Sequence, residues 1–146
     1  MSTQESFSDH GKQIKIDAAI ERLIACYDIG GKLMVCGNGG SAADCEHIVG
    51  ELMKGFHSKR PLSTDDIRPF VDALPNDGVT IAGRLQKGIS AISLVSHSAL
   101  YSAIVNDMGQ GYEFAQQIYS LGRPRDVLLG ISTSGKPNSK LLFVTI

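Results

Sequence analysis

The stretch Leu33-Met34-Val35-Cys36-Gly37-Asn38-Gly39-Gly40-Ser41 constrains the fold more than any other part of the chain. Lys32–Cys36 predicts a short strand whose unbroken apolar run suits a parallel sheet covered on both faces. The glycines that follow allow a sharp turn. From Ala42 to Phe56, the residues Cys45, Ile48, Val49, Leu52, Met53 and Phe56 fall on one helical stripe. A glycine turn between a strand and a helix lets backbone amides approach an anion.

The same alternation continues along the chain. Ile16, Ile20, Leu23, Ile24 and Tyr27 recur at helical spacing and predict an N-terminal helix, within residues 1–30, that Gly30-Gly31 ends. Residues 57–88 carry Pro61, Pro69 and Pro75 with mixed charges. They predict an excursion with short helices over Thr64–Leu74 and Val79–Gln86, lying over the core. A second strand is predicted over Ser90–Val95, followed by a helix through Ile104 and another over Tyr112–Leu121. A third strand, Asp126–Ile131, meets Ser132-Thr133-Ser134-Gly135. The expectation is one α/β domain over residues 1–146, a three-layer fold with a parallel sheet between helices. In open parallel sheets ligands bind beyond the carboxyl ends of the strands. Both small-residue loops are expected at that edge, together with the end of the second strand and Asn106-Asp107.

Composition removes several classes of function. With 14 basic and 15 acidic residues the net charge is −1, which gives no electrostatic reason for nucleic acid or an anionic membrane as partner. No apolar run approaches the ~18 residues of a membrane span. The polar N-terminus, MSTQESFSDHG, lacks the basic-then-apolar pattern of a signal peptide. Cys26, Cys36 and Cys45 form no C-x-x-C pair and read as reduced, buried thiols of a cytoplasmic protein.

Two ligand readings compete for the glycine turn. Gly37 to Ala42 fits G-x-G-x-x-G/A, the dinucleotide fingerprint. That fingerprint also wants an acidic residue at the end of the next strand to hold a ribose. Here Ser96-His97-Ser98 follows that strand, so no nucleotide cofactor is expected. The second loop points to a phosphate. Ser132-Thr133-Ser134 offers three hydroxyls beside backbone amides, without the lysine of a P-loop, whereas capping a helix needs only one hydroxyl.

The blocks CGNGGSAADCEHIVGEL and RDVLLGISTSG resemble the sugar isomerase (SIS) domain, specifically the phosphoheptose isomerases, from about Gly31 to Gly135. The resemblance implies a flavodoxin-like α/β fold. It also implies interconversion of sedoheptulose 7-phosphate and a manno-heptose 7-phosphate. Ser132, Thr133 and Ser134 would grip the sugar phosphate, Asn38, Gly39, Gly40 and Ser41 would line the sugar, and Asp107 would bind its hydroxyls. His47 and Glu51 would be metal ligands, with Glu51 also the catalytic base. The chemistry is compatible: residues i and i+4 share a helix face, the pair lies off the apolar stripe, and imidazole and carboxylate are usual zinc ligands. Without the resemblance, such a pair reads more readily as a surface His-Glu interaction.

The sequence departs from the family's pattern near its end. Gly135-Lys136-Pro137-Asn138-Ser139 replaces glycine-asparagine-serine. The family's acid histidine, and the metal-binding glutamine before it, would lie beyond Ile146. The C-terminal strands and helix of the domain are therefore expected to be missing. His10, His47, His57 and His97 are the histidines present, and His97 falls at the edge of the expected site. The alternative to an isomerase is a non-catalytic SIS module that binds a sugar phosphate or a regulatory protein. The exposed stripe of the first helix, and the family's sites between subunits, lead to the expectation of a homotetramer or dimer.

Overall fold

The computed structural model describes residues 9–133. Strands β1 (Leu33–Gly37), β2 (Ala91–Ser93) and β3 (Val127–Ile131) form one parallel sheet in the order β2-β1-β3. Leu33 pairs with both Ala91 and Val127, and the β1–β3 ladder runs on to Gly37 opposite Ile131. All five residues of β1 are buried, as its apolar run requires.

The twofold alternation of β1 divides its side chains between two half-cores. Leu33 and Val35 pack with Cys45 and Val49 of α2 (Gly40–Met53), backed by Leu23 and Tyr27 of α1 (Asp9–Asp28). Met34 and Cys36 pack with Leu94, with Tyr101 of α5 (Ser98–Met108), and with Phe114 and Ile118 of α6 (Glu113–Leu121). Helices thus cover both faces, giving the expected three-layer α/β architecture. The three cysteines are free and buried.

The amino ends of β1 and β3 are tied by a polar clasp. Asp126 Oδ1 accepts from Lys32 N (3.0 Å), its Oδ2 accepts from Arg123 N (2.8 Å), and the Lys32 ammonium pairs with Oδ2 and donates to Leu121 O (2.7 Å). Burial alone would raise the Asp126 carboxyl. The hydrogen bonds from Lys32 and Arg123 outweigh it and hold the group below the ordinary carboxylate value.

Three expectations change. The second helix stops at Met53, and Phe56 stands 77% exposed instead of completing the apolar stripe. Gly55 and a turn intervene, and Lys54 leaves the helix in extended conformation. The excursion folds on itself instead of lying over the core. Its α3 (Thr64–Ala73) and α4 (Gly78–Ala82) pack on each other, and α3 has no fully buried residue. A capping box between Ser63 and Asp66 starts α3, which explains why that boundary was readable. The stripe of α1 is split: Leu23 and Tyr27 face the core, while Ile16, Ile20 and Ile24 are each about half exposed.

Candidate functional site

Two loops meet at the carboxyl edge of the sheet because β1 and β3 are in register to their last residues. Gly37 stands opposite Ile131, so Asn38 and Ser132 leave the sheet side by side. The junction leaves little room for a side chain at Gly37. A Cβ there would lie 3.0 Å from Ser41 Cβ and 3.1 Å from the Ile131 carbonyl oxygen. Gly39 then turns the chain with φ +59° and ψ −127°, a conformation open to glycine alone. The turn delivers α2 with no side-chain cap and no acidic residue in its first turn, while Ala42 N donates to Gly39 O (3.1 Å).

A cleft of about 300 Å³ opens above this turn, lined by Gly37, Asn38, Gly39, Ala42, Val95, Ser98, Tyr101 and Phe114. None of these lining residues is charged. Ser98 begins α5, so a second helix amino end reaches the same cleft, again without an acidic first-turn residue. Two helix macrodipoles therefore place positive potential over a neutral, partly apolar cavity. Tyr101 and Phe114 form its aromatic wall, edge to face at 6.2 Å. Burial, with the nearby Glu113 carboxylate adding to it, pushes the Tyr101 phenol up. Burial likewise pushes the Cys36 thiol up to about 11, Cys45 contributing, which leaves it a poor nucleophile.

The site residues expected from the sequence fall into separate groups. Asn38 and Gly39 line the cleft, with Gly40 and buried Ser41 opening the helix beside it. Ser132 and Thr133 are exposed just past β3; Ser134, Gly135 and the departures after them lie outside the described residues. His47 and Glu51 are exposed, one turn apart on α2, off the buried stripe of Ser41, Cys45 and Val49, and they are not part of the cleft wall. The Arg60 guanidinium donates to the carbonyls of Leu52 (2.6 Å) and Glu51 (3.3 Å) and thereby closes the last turn of that helix. Among the described residues, no group of three or more His, Cys, Asp or Glu comes together to hold a metal.

Asp107 is not among the residues of the cleft wall. Asp107 sits in the last turn of α5, nine residues beyond Ser98, and is exposed. Tyr101 of the same helix and Phe114 in the first turn of α6, both residues of the cleft wall, lie six and seven residues from it on either side. The helix after β2 is simply longer than the one that ended at Ile104.

One buried polar group was missed. Gln117 is 1% exposed, donates through Nε2 to the carbonyls of Leu94 and Glu113 (2.9 Å each), and meets His97 Nδ1 through Oε1 at 2.8 Å. Its signal was present: Gln117 lies on the same helix face as Phe114, Ile118 and Leu121.

Comparison with known proteins agrees with this fold. The chain is 38% identical over 120 residues to a phosphoheptose isomerase of a Roseiflexus species, covering 82% of this chain and 48% of that protein. It is 35% identical over 139 residues to the phosphoheptose isomerase of Maridesulfovibrio salexigens, covering 94% and 55%. The chain thus spans about half the length of the curated relatives it matches. Among solved structures, a phosphoheptose isomerase from Francisella tularensis superposes with a TM-score of 0.59 at 25% identity, covering 93% of this chain and 64% of that one. Phosphoheptose isomerase GmhA from Neisseria gonorrhoeae gives 0.52 at 31%, covering 81% and 47%. The family profile that matches, over residues 3–82, is described as the SIS domain; it takes in β1, the glycine turn and the whole of α2, and the chain belongs to that family.

Proposed function

We propose that the chain is the sugar-phosphate-binding part of a phosphoheptose isomerase that interconverts sedoheptulose 7-phosphate and manno-heptose 7-phosphate. The observation that carries the reading is the convergence of two helix amino ends, α2 and α5, on one uncharged cleft beside the Ser132-Thr133 loop. A phosphate held there meets amides and hydroxyls, with the dipoles supplying the charge complement. The relatives named phosphoheptose isomerase support the choice of sugar. No nucleotide cofactor belongs to this reading: Leu94-Val95-Ser96-His97 follows β2 where a ribose clamp would need an acid.

The reaction moves a proton between adjacent carbons. A base removes it from the carbon beside the carbonyl, an enediol forms, and the proton returns to the former carbonyl carbon while the oxygen protons exchange. Glu51 is that base, a carboxylate accessible on the outer face of α2. His47 and Glu51 fit zinc by donor chemistry, supplying two ligands, and zinc when bound polarises the sugar carbonyl. Arg60 holds the turn that carries Glu51. Neither Glu51 nor Asp107 forms the wall of the cleft, so they reach a sugar bound there from a second subunit. The half-exposed Ile16, Ile20 and Ile24 face of α1 supports the homodimer or homotetramer this requires. His47 and Glu51 together favour an isomerase over a non-catalytic module, which needs no base on that face.

Calorimetric titration tests the binding half of this reading. Ser132→Ala combined with Thr133→Ala should weaken sedoheptulose 7-phosphate, each lost hydrogen bond to a charged group costing about 1.5–3 kcal/mol. Unchanged affinity would remove the phosphate from this loop.

A further inference from the structure

We infer that His97 offers the lone pair of Nε2 to a hydroxyl of the bound sugar, and that buried Gln117 is the positioning residue that fixes the imidazole proton on Nδ1. This rests on the sugar-phosphate reading above. The argument begins with the amide of Gln117. Its Nε2 lies 2.9 Å from two carbonyl oxygens, those of Leu94 and Glu113, and donates one hydrogen to each. The opposite amide orientation would set Oε1 against both carbonyls, which offer no proton. Oε1 is therefore the atom that faces His97, and it can only accept. The 2.8 Å contact then requires a hydrogen on His97 Nδ1.

A neutral imidazole with its proton on Nδ1 carries its lone pair on Nε2. Gln117 is 1% exposed and held at three points, so the constraint comes from the core and not from mobile surface groups. His97 is half-buried and, in sequence, falls between Val95 and Ser98, two residues of the cleft wall. On the amino side, Ser96 Oγ donates to Glu46 Oε1 (3.1 Å), tying the same turn to α2. A fixed acceptor suits a polyhydroxylated ligand, whose hydroxyls all donate. It suits inorganic phosphate at neutral pH poorly, because the phosphate oxygens are mostly acceptors. Proton uptake at Nε2 would also leave the Nδ1–Gln117 bond in place, so the ring keeps its orientation in either state.

Nitrogen-15 spectra of the histidine side chains in the wild-type protein, at mildly alkaline pH, read the tautomer directly. His97 should show a protonated Nδ1 and an unprotonated Nε2, and Gln117→Leu should return it to the mixture of a free imidazole. Sedoheptulose 7-phosphate should move the Nε2 resonance, and inorganic phosphate should not. His97→Phe should weaken the sugar phosphate about fivefold, the loss of one neutral hydrogen bond, while leaving inorganic phosphate unchanged. An Nε2–H tautomer in the wild-type protein overturns the inference without any variant having to fold. So does an unmoved Nε2 resonance when the Asn38 and Gly39 amides shift on sugar addition, an outcome that leaves the binding reading standing. No shift at either place overturns both.

Discussion

Lys32 and Asp126 are joined twice, backbone amide to Oδ1 and ammonium to Oδ2, at the edge of the sheet opposite the cleft. The carboxylate is 4% exposed and its lysine 24%. Asp126→Asn should therefore lower stability by about 2–3 kcal/mol, because a charged hydrogen-bonded acceptor is lost while Lys32 keeps its position. The folded-state pKa lies below the ordinary value of 3.8, so this contribution is complete above that value. It fades as the pH falls through the folded pKa. Urea unfolding across the acid range should show a limb that the Asn variant lacks. Identical acid limbs would place the acid sensitivity elsewhere.

Gly39 and Gly40 are neighbours with opposite tolerance. Gly39 has φ +59°, whereas Gly40 is helical and a Cβ there meets nothing within 4 Å. Gly39→Ala should cost about 1–3 kcal/mol of stability and distort the cleft. Gly40→Ala should be neutral or stabilise by up to about 1 kcal/mol. Thermal unfolding of the pair separates the two effects, and equal melting temperatures would contradict the assigned turn.

Glu51→Gln keeps size and hydrogen bonding but removes the carboxylate proposed as the base. Isomerisation of sedoheptulose 7-phosphate should fall by about 10²–10⁴-fold. Sugar-phosphate affinity should change little, because Glu51 is not part of the cleft wall. Undiminished turnover, assayed with and without added zinc, would assign the base to another residue.

Ile20 is 48% exposed at the centre of the uncovered α1 face. Ile20→Glu should dissociate the proposed homo-oligomer in sedimentation equilibrium without unfolding the protomer, to whose core α1 contributes Leu23 and Tyr27. A wild-type protein that sediments as a monomer at every concentration would remove the subunit-bridging site.

Local pattern made most of the fold readable. The three strands and the helices stand near where apolar periodicity puts them, although α4 ends at Ala82 instead of Gln86 and β2 keeps only Ala91–Ser93, and Ser63 and Asp66 mark the start of α3 unaided. The glycine turn was legible because Gly39 has a conformation that composition alone announces. Pairings across long separations were not. Nothing near Lys32 points to Asp126, 94 residues away, and Gln117 is one polar residue among several until its burial is known. Helix ends set by contacts rather than caps also escaped: Phe56 continues the stripe of α2 in sequence, yet Arg60 closes that helix at Leu52 from outside.

The chain leaves the sheet layer at Arg60-Pro61 and comes back at Gln86-Lys87, where Pro61 bridges to Gln86, Lys87 N donates to Arg60 O (2.7 Å), and Gln86 Oε1 accepts from Arg60 N (3.3 Å). The two ends of the excursion therefore touch, and everything between Leu62 and Leu85 hangs from a single closed link. Changing the length of such a loop alters closure entropy only slowly, by about 0.6 kcal/mol per doubling. This is a natural port for exchange: evolution can lengthen the α3–α4 hairpin, trim it or graft another segment at that junction, and an engineer can insert a reporter there, with the strand-end chemistry left in register.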